Sequence, residues 1–189
     1  MLNKKVTSLC LLALMGGNFI VGSGAAFADE AKTQQKDTIV TYNNMSTIND
    51  PDHPNDPYYV IATPGNVTFT DNNKTFDGSV QMLKPDGSAA YEGDGVASVS
   101  VKSNNEYNLQ LSDGTDKVAY DFLYASAAGK ASATDKKMAA SSDFQPLATM
   151  DKTNNEYHVR YTMTGKATKT GAHTDTLTYK VTSKTPATK

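Results

Sequence analysis

Tryptophan is absent from this 189-residue chain, and cysteine occurs once, at position 10. Without tryptophan the chain lacks the largest aromatic face with which sugar-cleaving grooves stack their substrates. Cys10 lies in an apolar N-terminal run, with Leu9 and no small residue before it, which does not fit lipoprotein attachment. The remainder therefore has no disulfide, thiolate nucleophile or thiolate metal ligand. Also missing are a polybasic stripe for nucleic acid or anionic lipid, a Gly-x-Ser-x-Gly elbow and sustained helical periodicity. The tail from 182 to 189 carries no sorting motif and no apolar anchor, so the protein is expected to be secreted free or held outside the cell by non-covalent contacts.

What is present begins with an export signal. Lys4 and Lys5 precede an apolar run from Val6 to about Val21, and Ala26-Phe27-Ala28 forms a small-x-small cleavage site. The run contains Gly16, Gly17 and Asn18 and is too short for a permanent membrane span. Expected boundaries are a signal peptide at 1–28, a flexible arm at 29–36, a β-sandwich at 37–182 and a polar tail at 183–189. Loss of Lys4 and Lys5 leaves 16 basic against 20 acidic residues, a mature net charge of −4. Such a chain suits one domain that buries about 70% of its unfolded surface.

Period-2 alternation supplies the fold class. Ala97, Val99 and Val101 alternate with Ser98, Ser100 and Lys102, and similar faces occur at 107–111, 118–124, 157–163 and 177–181. Shorter strand candidates are 39–42, 58–62, 67–70 and 79–83. Turn residues separate them at Pro64-Gly65, Pro85-Asp86-Gly87, Gly93-Asp94-Gly95 and Asp113-Gly114. Eight or nine strands with one apolar face each need a second layer, so an all-β, antiparallel two-sheet sandwich is expected. Residues 125–150, rich in Ala, Ser, Lys and Asp, are read as a long loop or a short helix near 133–140. An echo at fifty-residue spacing, Asn104-Asn105-Glu106-Tyr107 and Asn154-Asn155-Glu156-Tyr157, reads first as repeated turn chemistry and second as a duplicated contact.

Few residues pattern as chemistry. His53, His158 and His173 lack zinc-site spacing. Glu106 and Glu156 are the carboxylate pair considered for glycoside cleavage, and ordinary turn carboxylates are the favoured reading. Asp50, Asp52 and Asp56 sit in a Pro-rich loop with enough oxygen donors to be a weak calcium candidate, but without EF-hand spacing. No other metal or cofactor is expected.

Residues 56–71, reading Asp-Pro-Tyr-Tyr-Val-Ile-Ala-Thr-Pro-Gly-Asn-Val-Thr-Phe-Thr-Asp, resemble the opening of small secreted proteins encoded with WxL-type cell-surface proteins of low-GC Gram-positive bacteria. Residues 171–181, ending Thr-Leu-Thr-Tyr-Lys-Val, are similar to the last strand of the WxL domain. The resemblance implies an extracellular β protein, non-catalytic, that associates with peptidoglycan or with another surface protein. In place of the tryptophans that give the family its name, Tyr58 or Tyr59 and Tyr179 occupy the comparable positions and are the candidate ligand-binding residues. The alternatives are a strand-exchanging subunit of a surface filament and, behind it, a wall-polymer hydrolase.

Overall fold

The computed structural model describes residues 45–129, 136–185 and Ala187. By internal contacts the chain divides into Met1–Val40, outside the described residues, and a unit from Thr41 to Lys189. The expected signal, the arm and the strand candidate at 39–42 lie outside the described residues.

The described residues fold as β-strands in two antiparallel sheets, with no helix among them. The strands are β1 (Met45–Asn49), β2 (Val60–Pro64), β3 (Thr75–Leu83), β4 (Val96–Ser103), β5 (Asn108–Leu111) and β6 (Lys117–Tyr124). They continue with β7 (Lys136–Lys137), β8 (Gln145–Met150), β9 (Glu156–Met163), β10 (His173–Thr174) and β11 (Leu177–Thr185). The larger sheet is curled and runs β1-β2-β3-β9-β6-β5-β10, with β7 paired to the end of β6. The smaller sheet runs β11-β4-β8.

Buried side chains from both sheets meet between them. From β4 come Ala97, Val99 and Val101, all 0% exposed. Facing them are Ile61 of β2, Val80 and Met82 of β3, Phe122 of β6 and Val159 of β9. Phe122 stacks on Tyr161 with ring centroids 4.9 Å apart and on Tyr107 at 6.0 Å. Complete burial of each such side chain contributes about 1.5–3 kcal/mol.

Two expectations need correction. Residues 67–70 form no strand, since they have no ladder partner among the described residues. Residues 145–150, expected to be loop, are instead β8, with Leu147 and Met150 buried against β4. Turn chemistry behaves as expected at Gly87 and Gly114, which adopt φ of 71° and 73°. There Gly87 N donates to Lys84 O and Gly114 N to Leu111 O.

Candidate functional site: a tyrosine-floored groove

A groove of about 660 Å³ opens between β1 at the edge of the large sheet and β11 at the edge of the small one. The extended segment 63–69 forms one wall, and Leu177, Thr178 and Tyr179 form the other. Tyr120 and Tyr161 make the floor, and Phe69 approaches Tyr120 with centroids 6.0 Å apart. Strand alternation brings Tyr120 and Tyr161 inward from β6 and β9, which pair antiparallel. Tyr161 Oη and Tyr179 Oη share a hydrogen bond of 2.7 Å across the gap between the sheets. Burial pushes the Tyr179 phenol up to about 12 and Tyr161 well above its ordinary value. These hydroxyls therefore remain protonated donors across the physiological range.

Asp175 organises the end of the groove. Its Oδ2 accepts from Ser103 Oγ and Tyr120 Oη, both at 2.6 Å, and its Oδ1 accepts from Asn105 N at 3.1 Å and Thr176 N at 2.7 Å. The Tyr120 phenol is raised by burial first and by this carboxylate second. Ser103 Oγ also accepts from Asn105 N at 3.2 Å and Tyr107 N at 2.6 Å. The turn so fixed holds Glu106 and Tyr107 at φ of 54° and 62°. Two consecutive non-glycine residues in the left-handed region cost about 1–2 kcal/mol each, and the Asp175–Ser103 network offsets that strain.

Of the three expected ligand tyrosines, Tyr179 alone lines this groove. Tyr59 is 0% exposed and packs in the core against Tyr91 at 5.4 Å, so its ring offers no surface. Burial, then the Asp50 carboxylate, raises its phenol. Tyr58 stacks on His53 with centroids 4.1 Å apart and an interplanar angle of 17°, in the β1–β2 loop. Alternation put Tyr120 and Tyr161 on apolar strand faces and Phe69 in a strand candidate, but marked neither these three nor Asp175 as groove residues.

Asp50, Asp52 and Asp56 do not converge. Asp50 is fully buried and turns its carboxylate back into its own loop. There it accepts from Asp52 N at 3.0 Å and meets His53 Nδ1 at 2.9 Å. Asp52 and Asp56 are exposed. Among the described residues no group of three or more His, Asp or Glu side chains is placed to hold a metal ion.

The remaining pairs considered for chemistry are also placed. Tyr107, next to Glu106, accepts from Tyr120 N, whereas Glu156 accepts from Gly129 N, nine residues further along that chain segment. Glu106 thus sits beside the middle of β6, whereas Glu156 lies beyond its Tyr124 end. Glu156 is held by Gln81 Nε2 at 2.7 Å. The Asn-Asn echo does not repeat in three dimensions. The second copy has no left-handed pair, and Asp151 Oδ1 holds it by accepting from Thr153 N and Asn154 N.

His173 lies between two acceptors, Asp116 Oδ2 at 3.0 Å and Gly171 O at 3.1 Å. Among the described residues no hydroxyl meets either ring nitrogen, so their arrangement is not that of a nucleophile and its base. Asp116 also accepts from Lys169 N at 2.9 Å and from Thr168 N and Oγ1 at 2.8 and 2.9 Å. These donors, the Lys169 amide foremost, hold its carboxyl far below the usual range and pin segment 165–171 to the β5–β6 turn.

Comparison with protein families, with curated proteins and with solved structures finds no match.

Proposed function

We propose that this chain is an exported, non-catalytic β-sandwich protein that associates with the cell wall or with another surface protein through the groove between segment 63–69 and β11. The carrying observation is the groove itself, with its floor of protonated tyrosines, a carboxylate at one end and an apolar lip at Phe69 and Leu177. Aromatic faces interleaved with hydroxyls suit the alternating apolar and polar faces of a glycan strand or an extended peptide. The export signal and the WxL-like segments at 56–71 and 171–181 favour an extracellular partner.

Strand exchange remains the second reading, because β1 and β11 each have one ladder partner among the described residues and both border the groove. An unpaired edge is a template for an added strand.

Co-sedimentation of the purified protein with isolated cell walls, either stripped or still carrying their surface proteins, tests the proposal. Binding to stripped walls identifies polymer as the partner, and binding only to unstripped walls identifies protein. Thr68 is exposed on the groove wall, so Thr68→Arg fills the groove without touching the core and is expected to abolish retention. Failure to sediment with either preparation, or an unchanged Thr68→Arg variant, contradicts it.

A further inference from the structure

Of the outward face of the small sheet Thr178 alone also borders the groove, and the composition of this face departs from the rest of the chain. β4, β8 and β11 contain no Asp or Glu, in a protein with 20 acidic residues. With Ala97, Val99 and Val101 committed inward, Ser98, Ser100 and Lys102 point outward from β4. Their ladder partners on β11 are Thr182, Lys180 and Thr178, all exposed. Lys184 is exposed at the bulge that closes this ladder. Lys102 Nζ and Lys180 Nζ approach one aromatic ring, that of Phe144, at 5.2 and 4.6 Å from its centroid. Neither lysine, nor Lys184, forms an ion pair with a described residue. Asp143, next to Phe144 in sequence, forms an ion pair with neither.

We propose that this face binds a phosphodiester-linked polyol polymer, the anionic class of wall polymer, through Lys102, Lys180 and Lys184. Two ammonium groups gathered over one ring repel each other, and the ring quadrupole compensates them only in part. An anion bridging them removes that repulsion. Lysine meets phosphate as a point charge, and Ser98, Ser100, Thr178 and Thr182 supply hydroxyl donors to the remaining oxygens. The flat face encloses no compact anion. Residues two apart on a strand are about 6.8 Å apart, so the charges are spread along β11 and match a repeating polyanion. Single-stranded nucleic acid stacks its bases on open aromatic faces, whereas lysines occupy the Phe144 ring. This inference stands apart from the groove reading.

The test measures affinity of the purified protein for long and short poly(glycerol phosphate), single-stranded DNA and inorganic phosphate. Expected are tighter binding to the longer polymer and an affinity loss of about twentyfold between about 50 and 200 mM salt, the slope for three neutralised phosphates. Lys102→Gln with Lys180→Gln and Lys184→Gln is expected to cost tenfold or more with an unchanged circular-dichroism spectrum. Lys180→Glu alone serves if the triple variant misfolds. Thr68→Arg is expected to leave this affinity unchanged, which separates it from the groove. Equal affinity in the lysine variants, tighter binding of DNA, or competition by inorganic phosphate at equal phosphate concentration overturns the proposal.

Discussion

At the scale of single residues, Asp175 joins the turn at 103–107, the floor of the groove and the start of β11. Removing it leaves Ser103 Oγ and Tyr120 Oη without their shared acceptor, and a buried polar group so orphaned costs about 1–3 kcal/mol. Asp175→Ala is therefore expected to lower unfolding free energy by about 2–4 kcal/mol, read as a shift of the urea midpoint. Glu106→Gly acts in the opposite direction. It relieves left-handed strain of about 1–2 kcal/mol against a glycine entropy cost of about 0.5–1 kcal/mol, for a net gain of about 0.5–1 kcal/mol.

Acid titration reports two other carboxylates. Asp151 is pushed down from 3.8 to about 2, by the Thr153 hydroxyl first. Asp116 is held lower still. A depressed folded-state value contributes stability that is fully present above the unfolded value and is lost as pH falls through the folded one. Unfolding free energy is therefore expected to decline below about pH 4, and Asp151→Asn flattens the part of that limb between about pH 4 and 2. None of these roles was visible along the sequence. Asp175 gives no signal along the chain because Ser103 and Tyr120 lie 72 and 55 positions away.

At the scale of elements, alternation located the strands that keep strict period 2; β2, buried at four consecutive positions, overlaps a shorter strand candidate, and β8 was missed. β4 alternates without interruption on its buried face, as do the central parts of β6 and β9. β8 fails because Val99 pairs with Ala148 while Ser100 pairs with Pro146, which leaves Leu147 as an extra residue. That bulge turns both Leu147 and Met150 inward although they are three apart. β1 contributes Ile48 from a short edge strand with no period to detect. Residues 67–70 had the pattern of a strand, and pattern alone does not supply a neighbour.

Close approach adds a constraint at Gly165, which follows β9. Its amide and that of Thr164 both donate to Ala119 O at 2.9 Å, and a Cβ there would lie 2.8 Å from Ala119 N. Gly165→Val is expected to destabilise the protein by about 1–3 kcal/mol, measured by thermal or denaturant unfolding.

At the scale of the whole molecule, β11 faces two ways. Leu177 and Tyr179 look toward the core and groove, while Thr178, Lys180 and Thr182 are exposed. One strand therefore borders both surfaces that the account assigns to binding. The all-β class, the antiparallel pairing and the two layers were legible in the chain because each buried face must find a partner face. The groove was not, since its walls come from segments brought together only when the sheets meet. Tyr59 illustrates the difference: the resemblance offered it as a candidate ligand-binding residue, and packing took it into the core.

Amide hydrogen exchange of the purified protein, alone and with solubilised cell-wall fragments, tests the central claim most directly. The account predicts added protection concentrated at 63–69 and 175–179, with the loop at 151–155 unchanged. Protection confined to other surfaces, or no change at any segment, would contradict it.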